Sequence, residues 1–137
     1  MMPYYLIGLG SNLEPELNIT EANQAIALQV SLLDHSPVLI NPPCGTSFQF
    51  TFHNQILLIQ SEYSASHLKA LFERIEISMG REPKSPERRL KDRPIDIDIL
   101  ATSNSITGVL STSFPEPYNQ AIMRDWQPCQ IALKDCS

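Results

Sequence analysis

Residues 93–100, RPIDIDIL, place two carboxylates where they could act together. Successive side chains of a β-strand point to opposite faces of the sheet. The alternation therefore predicts a strand with Asp96 and Asp98 on one face and isoleucines on the other. Such a pair could ligate Mg²⁺, a hard cation that takes oxygen ligands and keeps several waters. The structural alternative is an edge strand whose charges only prevent aggregation.

Positive charge is concentrated directly before this strand. The chain is acidic, with a formal net charge of −5 at pH 7. Yet six of its ten lysines and arginines lie within 13 residues: Arg81, Lys84, Arg88, Arg89, Lys91 and Arg93. A polyphosphate bound with Mg²⁺ needs both signs together, because cations bind its oxygens while carboxylates hold the metal. A solvated loop after a helix is the alternative.

Other chemical motifs are missing from the sequence. No G-x-x-x-x-G-K-[ST] phosphate loop occurs, and GLGSNLEP lacks the third glycine of a dinucleotide fingerprint. The three histidines stand in no Ser-His-Asp or zinc-ligand pattern. The carboxylates and the basic segment are therefore the strongest chemical signal.

Bulk properties predict one domain over residues 1–137. The negative charge argues against a nucleic-acid partner. No apolar run reaches the roughly 20 residues of a membrane-spanning helix, and the first residues do not resemble a secretory signal. Three cysteines without close pairing indicate free thiols in a reducing compartment, so we expect a cytoplasmic protein.

Hydrophobic periodicity predicts the elements that precede the charged loop. An apolar run ending near Gly10 predicts a buried first strand, and apolar residues at helical spacing predict a helix from about Asn18 to Leu33. A short strand should end at the two prolines at 42–43, because proline removes a donor from the ladder. The segment 48–59 alternates and then becomes apolar, which predicts a long strand.

The second helix is the best-marked element. Ser64 or Ser66 can cap its start, an apolar stripe follows, and Gly80 stands where a left-handed residue ends a helix. The resulting order is β-α-β-β-α-β with an irregular C-terminal tail. It predicts an α+β sandwich, a mainly antiparallel sheet with helices on one face, as in ferredoxin-like folds.

Four segments in this order and spacing, IGLGSNL, NPPCG, RIEISMGR and RPIDIDIL, resemble the hydroxymethyl-dihydropterin pyrophosphokinase family of folate biosynthesis. The resemblance covers roughly residues 4–126. It implies the ferredoxin-like α+β sandwich and transfer of pyrophosphate from ATP to the hydroxymethyl group of a reduced pterin, with two Mg²⁺ ions. ATP and the pterin would be the partners, without nucleic acid or membrane, and we expect a monomer or weak dimer.

The resemblance also implies roles for residues on the nucleotide side of the site. Asp96 and Asp98 match the Mg²⁺ ligands, and Asp98 is a candidate acceptor of the hydroxyl proton. Arg81 and Arg93 match the catalytic arginines that bind phosphate. The positions that match further ATP contacts are Glu73, Glu76, Lys84, Arg93, Ile99, Tyr118 and Arg124.

A pterin pocket is implied in the same way. The NPPCG loop supplies Asn41, Pro42 and Cys44, and Asn54 would bind the edge of the pterin ring. The rings of Phe52 and Trp126 would hold the flat heterocycle between them. Because Trp126 lies between polar residues, we do not expect it to be a plain core residue.

The chain departs from the family pattern at several of these positions. ERRLKDRP has no tryptophan where the family has R-W-G-P-R, and Tyr118 and Asp125 replace a histidine and a glycine of the tail motif. These changes keep two further hypotheses open. One is a divergent paralogue that binds pterin or nucleotide with little or no turnover, and the other is a transferase that uses another hydroxylated acceptor.

Overall fold

The structure is a computed structural model that describes residues 2–41, 51–81 and 94–126. Its strands are β1 (Tyr4–Ser11), β2 (Ser31–His35), β3 (Leu39–Asn41), β4 (Phe52–Gln60) and β5 (Asp96–Ser103), and its helices are α1 (Pro15–Ala27), α2 (Ala65–Ser78), α3 (Ile106–Leu110) and α4 (Pro117–Asp125). The strands form one antiparallel sheet in the order β2-β4-β1-β5, and β3 also pairs with β4. The α+β class and the ferredoxin-like strand arrangement are confirmed.

Alternation along the central strands divides the hydrophobic core into two layers. Ile7 and Leu57 face α1 and α2, whereas Leu6 and Ile56 face the opposite side of the sheet. We call the layer on the α1 and α2 side the first core and the opposite layer the second core. The prediction placed helices on one face; the structure adds α3 and α4 on the other, so the tail is more regular than expected. The second core consists of Leu6, Ile56, Leu58, Val109, Phe114, Ile122 and Trp126.

The first helix is shorter than predicted. It ends at Ala27, and Leu33 belongs to the edge strand β2. The amides of Gln29 and Val30 both bond back to the carbonyl of Ile26, which makes a turn that reverses the chain. Apolar spacing in this segment fits a helix or a strand, and pairing with β4 decided between them.

The second helix agrees with its local signals. The hydroxyl of Ser64 accepts a hydrogen bond from the His67 amide at 3.2 Å, as an N-cap should. Gly80 follows the helix with φ of 98°, a left-handed conformation that glycine adopts without a steric penalty. Leu68 and Phe72 are fully buried, so the predicted apolar stripe faces the first core. None of the helices within the described ranges combines the length and apolar character needed to cross a bilayer.

Candidate active site

Three residues on adjacent strands form a row across one face of the sheet. Gly10 of β1 lies opposite Asn54 of β4 on one side and opposite Asp96 of β5 on the other. A side chain at the middle position would crowd this row, because a Cβ on Gly10 would lie 3.2 Å from Asn54 Nδ2. Gly10 is buried, and as glycine it places no side chain between the Asn54 amide and the Asp96 carboxylate. We call this side-chain-free position between the two residues the floor at Gly10.

The predicted division of β5 into two faces is confirmed. Ile95 and Ile97 are buried in the first core, whereas Asp96 is half-buried and Asp98 is exposed. The start of β5 is tied to the end of β1, because the hydroxyl of Ser11 donates to the carbonyl of Pro94 at 2.6 Å. Both aspartates thus lie on the face of the sheet that carries the Asn54–Gly10–Asp96 row.

Arg81 lies next to these carboxylates, with 8% of its side chain exposed. Its Nη1 atom donates to Glu76 Oε2 at 2.9 Å, to the carbonyl oxygen of Ile95 at 3.3 Å, and to Asp96 Oδ1. Its Nε atom is buried and has no hydrogen-bond partner in the described part of the chain. The guanidinium predicted to bind phosphate is therefore paired with two carboxylates in this structure.

Glu76 has a perturbed acidity. Burial raises its pKa to about 7, and a hydrogen bond with Glu73 and the negative charge of Asp96 act in the same direction. The Ile97 amide, which donates to Glu76 Oε2 at 2.6 Å, and the charge of Arg81 both oppose this rise. Glu76 thus changes its charge near neutral pH, beside the strand that carries the aspartates.

A groove of about 650 Å³ runs along β5 between α2 and the N-cap of α4. Glu73, Glu76 and Ile99, all predicted to contact the nucleotide, line it together with Asp98. Lys69 also lines the groove and was missed by the sequence analysis. Its position four residues before Glu73, on the same helix face, was the available signal.

Two of the four remaining predicted nucleotide contacts lie outside this groove. Tyr118 and Arg124 are exposed on α4 and do not line this groove. Lys84 and Arg93 lie outside the described residues. The sequence predictions for these four residues remain predictions.

The two asparagines predicted for the pterin pocket meet. Asn41 Nδ2 donates to Asn54 Oδ1 at 2.8 Å, because β3 pairs with the beginning of β4. Phe52 is half-buried, two residues before Asn54 on β4. Pro42 and Cys44 lie outside the described residues.

Trp126 differs from expectation. It is 7% exposed and belongs to the second core, where it packs with residues such as Phe114 and Ile122. The interpretation that Trp126 is not a core residue is therefore wrong. The end of α4 brings an apolar ring against the sheet, and burying a ring of this size is strongly favourable. Its stacking on a pterin stays a prediction.

The protein donors fit Mg²⁺ held jointly by protein and substrate. Asp96 and Asp98 offer carboxylate oxygens from one strand face. Within residues 2–41, 51–81 and 94–126, no group of three or more His, Cys, Asp or Glu side chains could hold a metal ion. Mg²⁺ commonly binds through one or two carboxylates and completes its shell with phosphate oxygens and water.

An antiparallel α+β sandwich with paired carboxylates beside an edge groove defines a site suited to phosphoryl transfer. The sequence profile of the 7,8-dihydro-6-hydroxymethylpterin-pyrophosphokinase family matches residues 6–127, and the chain belongs to that family. The family indicated by the four sequence segments is confirmed.

Curated relatives carry the name 2-amino-4-hydroxy-6-hydroxymethyldihydropteridine pyrophosphokinase. The chain is 33% identical to the Helicobacter pylori protein over 120 residues, and the matched region covers 82% of this chain and 70% of that protein. It is 32% identical to the Campylobacter jejuni protein over 106 residues, and this match covers 74% of the chain and 64% of that protein. It is 31% identical over 127 residues to a Porphyromonas gingivalis protein, covering 91% and 86%.

Proposed function

We propose that the protein transfers pyrophosphate from ATP to the hydroxymethyl group of 6-hydroxymethyl-7,8-dihydropterin, with Mg²⁺, as a step of folate biosynthesis. Membership of the pyrophosphokinase family supports this reaction class. The observation that carries the proposal is the Asn54–Gly10–Asp96 row. It places a group suited to a heterocycle edge and a carboxylate suited to Mg²⁺ on either side of Gly10.

The reaction needs little covalent help from the protein. The acceptor hydroxyl oxygen attacks the β-phosphorus of ATP, the bond from that phosphorus to the α-β bridging oxygen breaks, and AMP leaves. The hydroxyl proton goes to Asp98 or to water. Bound Mg²⁺ would neutralise the phosphate charge that develops during transfer. The side chains therefore act by positioning and electrostatic stabilisation.

The groove along β5 is the proposed nucleotide site. Ile99 and the hydrophobic part of its wall suit an apolar ring face, and Lys69 supplies a cation on α2. Asp98 also lines the groove, so a nucleotide lying there would bring its phosphates to the carboxylates. Arg81 is next to Asp96, close enough to exchange its carboxylate partner for a phosphate oxygen.

The floor at Gly10 is the proposed acceptor site. Asn54 would bind the pterin edge and Phe52 would pack against its face. Two bound Mg²⁺ ions, a cytoplasmic location and a monomeric or weakly dimeric state belong to the same proposal.

A coupled assay for AMP formation tests the proposal. With ATP, Mg²⁺ and the hydroxymethyl pterin, we expect one AMP for each acceptor consumed. Asp98→Asn should lower kcat at least about 100-fold, the scale of one lost electrostatic contact in a transition state. Its unfolding free energy should stay near that of the wild type, because Asp98 is exposed.

Asp34→Asn is the matched control. Asp34 lies on the far edge strand, and its Oδ1 accepts a hydrogen bond from the neighbouring His35 amide, which asparagine retains. Folded wild-type protein that forms no AMP would refute the proposal. Pterin or nucleotide binding without AMP would favour the paralogue hypothesis, and turnover of a different hydroxylated compound would favour the alternative acceptor.

A further inference from the structure

Asn41 and Asn54 form an amide pair at the edge of the glycine floor. The carbonyl Oδ1 of Asn54 accepts from Nδ2 of Asn41 at 2.8 Å. Both residues are half-buried, so water screens this bond incompletely. An amide group is planar, and its oxygen and nitrogen are bonded to the same carbon and point in different directions within that plane. Fixing the direction of the Asn54 oxygen therefore fixes the direction of its nitrogen.

The Asn54 nitrogen points to the floor. It lies 3.2 Å from the position that a Cβ on Gly10 would take, and that Cβ would be 4.0 Å from Asp96 Cβ. Within the described residues, the Asn54 side chain makes no hydrogen bond other than the one to Asn41. Asn54 thus presents two N–H donors beside the carboxylate, while its oxygen is already engaged.

The strand that carries Asn41 is firmly held. The Ser36 amide donates to the Ile56 carbonyl at 2.8 Å, and the Ile56 amide donates to the Ser36 hydroxyl at 2.9 Å. Gln55 Nε2 donates to the Ser36 carbonyl at 2.7 Å. These bonds fix the junction of β2 and β3 against β4, and they place Asn41 opposite Phe52 in the ladder.

An asparagine amide alone would not hold this orientation. The terminal torsion of asparagine is broad and roughly two-fold, so an unrestrained amide can exchange its oxygen and nitrogen. Once a cation sits on Asp96, the Asn54 oxygen would be attracted to it. The hydrogen bond from Asn41 opposes the rotation of the Asn54 amide that would exchange its oxygen and nitrogen.

We propose that Asn41 is a positioning residue for the acceptor: it holds the Asn54 amide so that a hydrogen-bond donor faces the floor at Gly10. The part of the acceptor that lies there is a hydrogen-bond acceptor, such as a ring nitrogen or a carbonyl oxygen of a flat heterocycle. This inference rests on the proposed function for the identity of the acceptor. The orientation of the amide itself is measurable without any substrate.

The first experiment is NMR spectroscopy of the ligand-free ¹⁵N-labelled protein. One α-hydrogen of Gly10 occupies the direction of the missing Cβ, so it lies close to the Asn54 side-chain amide. We expect a nuclear Overhauser contact between these hydrogens in the wild type. Asn41→Asp replaces the donor with a carboxylate, which accepts from Asn54 and turns the amide over, so the contact should weaken strongly or disappear.

The second experiment separates acceptor binding from nucleotide binding. Asn41→Ala should raise the KM for the hydroxymethyl pterin about tenfold, the factor expected for one net hydrogen bond. Asn41→Asp should raise it about 100-fold, because an oxygen then faces the hydrogen-bond acceptor of the ligand. The KM for ATP should stay within about twofold in both variants.

Ile40→Ala is the control for the integrity of β3. Ile40 is adjacent to Asn41 and 61% exposed, and its side chain points to the other face of the strand. We expect wild-type KM values and an unchanged Overhauser contact. An Overhauser contact that persists in Asn41→Asp would overturn the inference, as would an unchanged pterin KM in both Asn41 variants.

The two proposals fail separately. If the wild type forms no AMP but shows the Overhauser contact, and Asn41→Asp loses that contact, the pyrophosphokinase proposal is refuted and the inferred amide orientation is retained. If the wild type forms AMP normally and both Asn41 variants keep the wild-type pterin KM, only the inference about Asn41 is refuted. Equal losses of ATP and pterin affinity in Asn41→Ala, absent in Ile40→Ala, also overturn it, since Asn41 would then support the whole site.

Discussion

Glu76→Gln tests the electrostatics at the junction of α2 and β5. The Glu76 side chain is 3% exposed, and its carboxylate accepts hydrogen bonds from the Ile97 amide and from Arg81. Glutamine keeps the shape and one acceptor oxygen for both donors. Its amide nitrogen can donate to Glu73, which already shares a hydrogen bond with Glu76. The substitution therefore replaces the titrating carboxyl group of residue 76 by an amide that does not titrate, and it preserves most of the packing.

The sign of the effect follows from the pKa of Glu76. Burial, the largest cause, raises this pKa from 4.5 to about 7. Between these values the folded protein binds more protons than the unfolded chain, so the free energy of unfolding falls as the pH rises. The contribution is fully present below pH 4.5 and is lost as the pH passes 7. Each pKa unit is worth about 1.4 kcal/mol, so the total is about 3 kcal/mol.

The measurement is urea unfolding of the wild type and of Glu76→Gln at several pH values from 4.5 to 8, with a chelator present. Other titrating groups cancel in the difference between the two proteins. We expect the free energy of unfolding of the wild type, relative to the variant, to fall by about 3 kcal/mol across this range. Glu62→Gln, the same carboxylate-to-amide change on an exposed residue, is the matched control. A difference that stays constant within about 0.5 kcal/mol would show that burial does not shift Glu76.

Two glycine substitutions make further predictions. Gly10→Ala adds a methyl group 3.2 Å from Asn54 Nδ2, so steady-state kinetics should show a pterin KM raised about tenfold or more and an ATP KM within about twofold of the wild type. An unchanged pterin KM would mean that the acceptor does not lie on this floor. Gly80→Ala forces a Cβ into a φ of 98° and should lower the free energy of unfolding by about 1–2 kcal/mol in urea titrations. The space around Gly80 is open, with no described atom within 4 Å of the added Cβ, so equal stability would mean that the backbone relaxes to a negative φ.

Local signals in the sequence determined several features of this protein. The cap at Ser64, the left-handed residue at Gly80 and the two faces of β5 depend on groups within a few residues of one another. Such interactions are encoded by residue type and spacing alone. The order of the elements then restricted the fold to an antiparallel α+β sandwich, and the motif combination indicated the family.

Where several structures satisfy the same local pattern, only the tertiary structure decided between them. The apolar spacing up to Leu33 fits a helix, but residues from Ser31 onward form strand β2 because they pair with β4. Trp126 has polar neighbours in sequence, yet α4 carries it into the second core.

The site itself depends on strand register and on contacts distant in sequence. Arg81 is separated by 15 residues from Asp96, its partner in a partly buried ion pair, and no local rule distinguishes that arginine from the others in the basic segment. Asn54, Gly10 and Asp96 lie on three different strands, and a shift of one residue in the pairing of β4 or β5 would send the side chain of Asn54 or Asp96 to the other face. The sequence thus determined which chemical groups are present, whereas strand pairing and burial determined which of them meet, because those interactions are long-range.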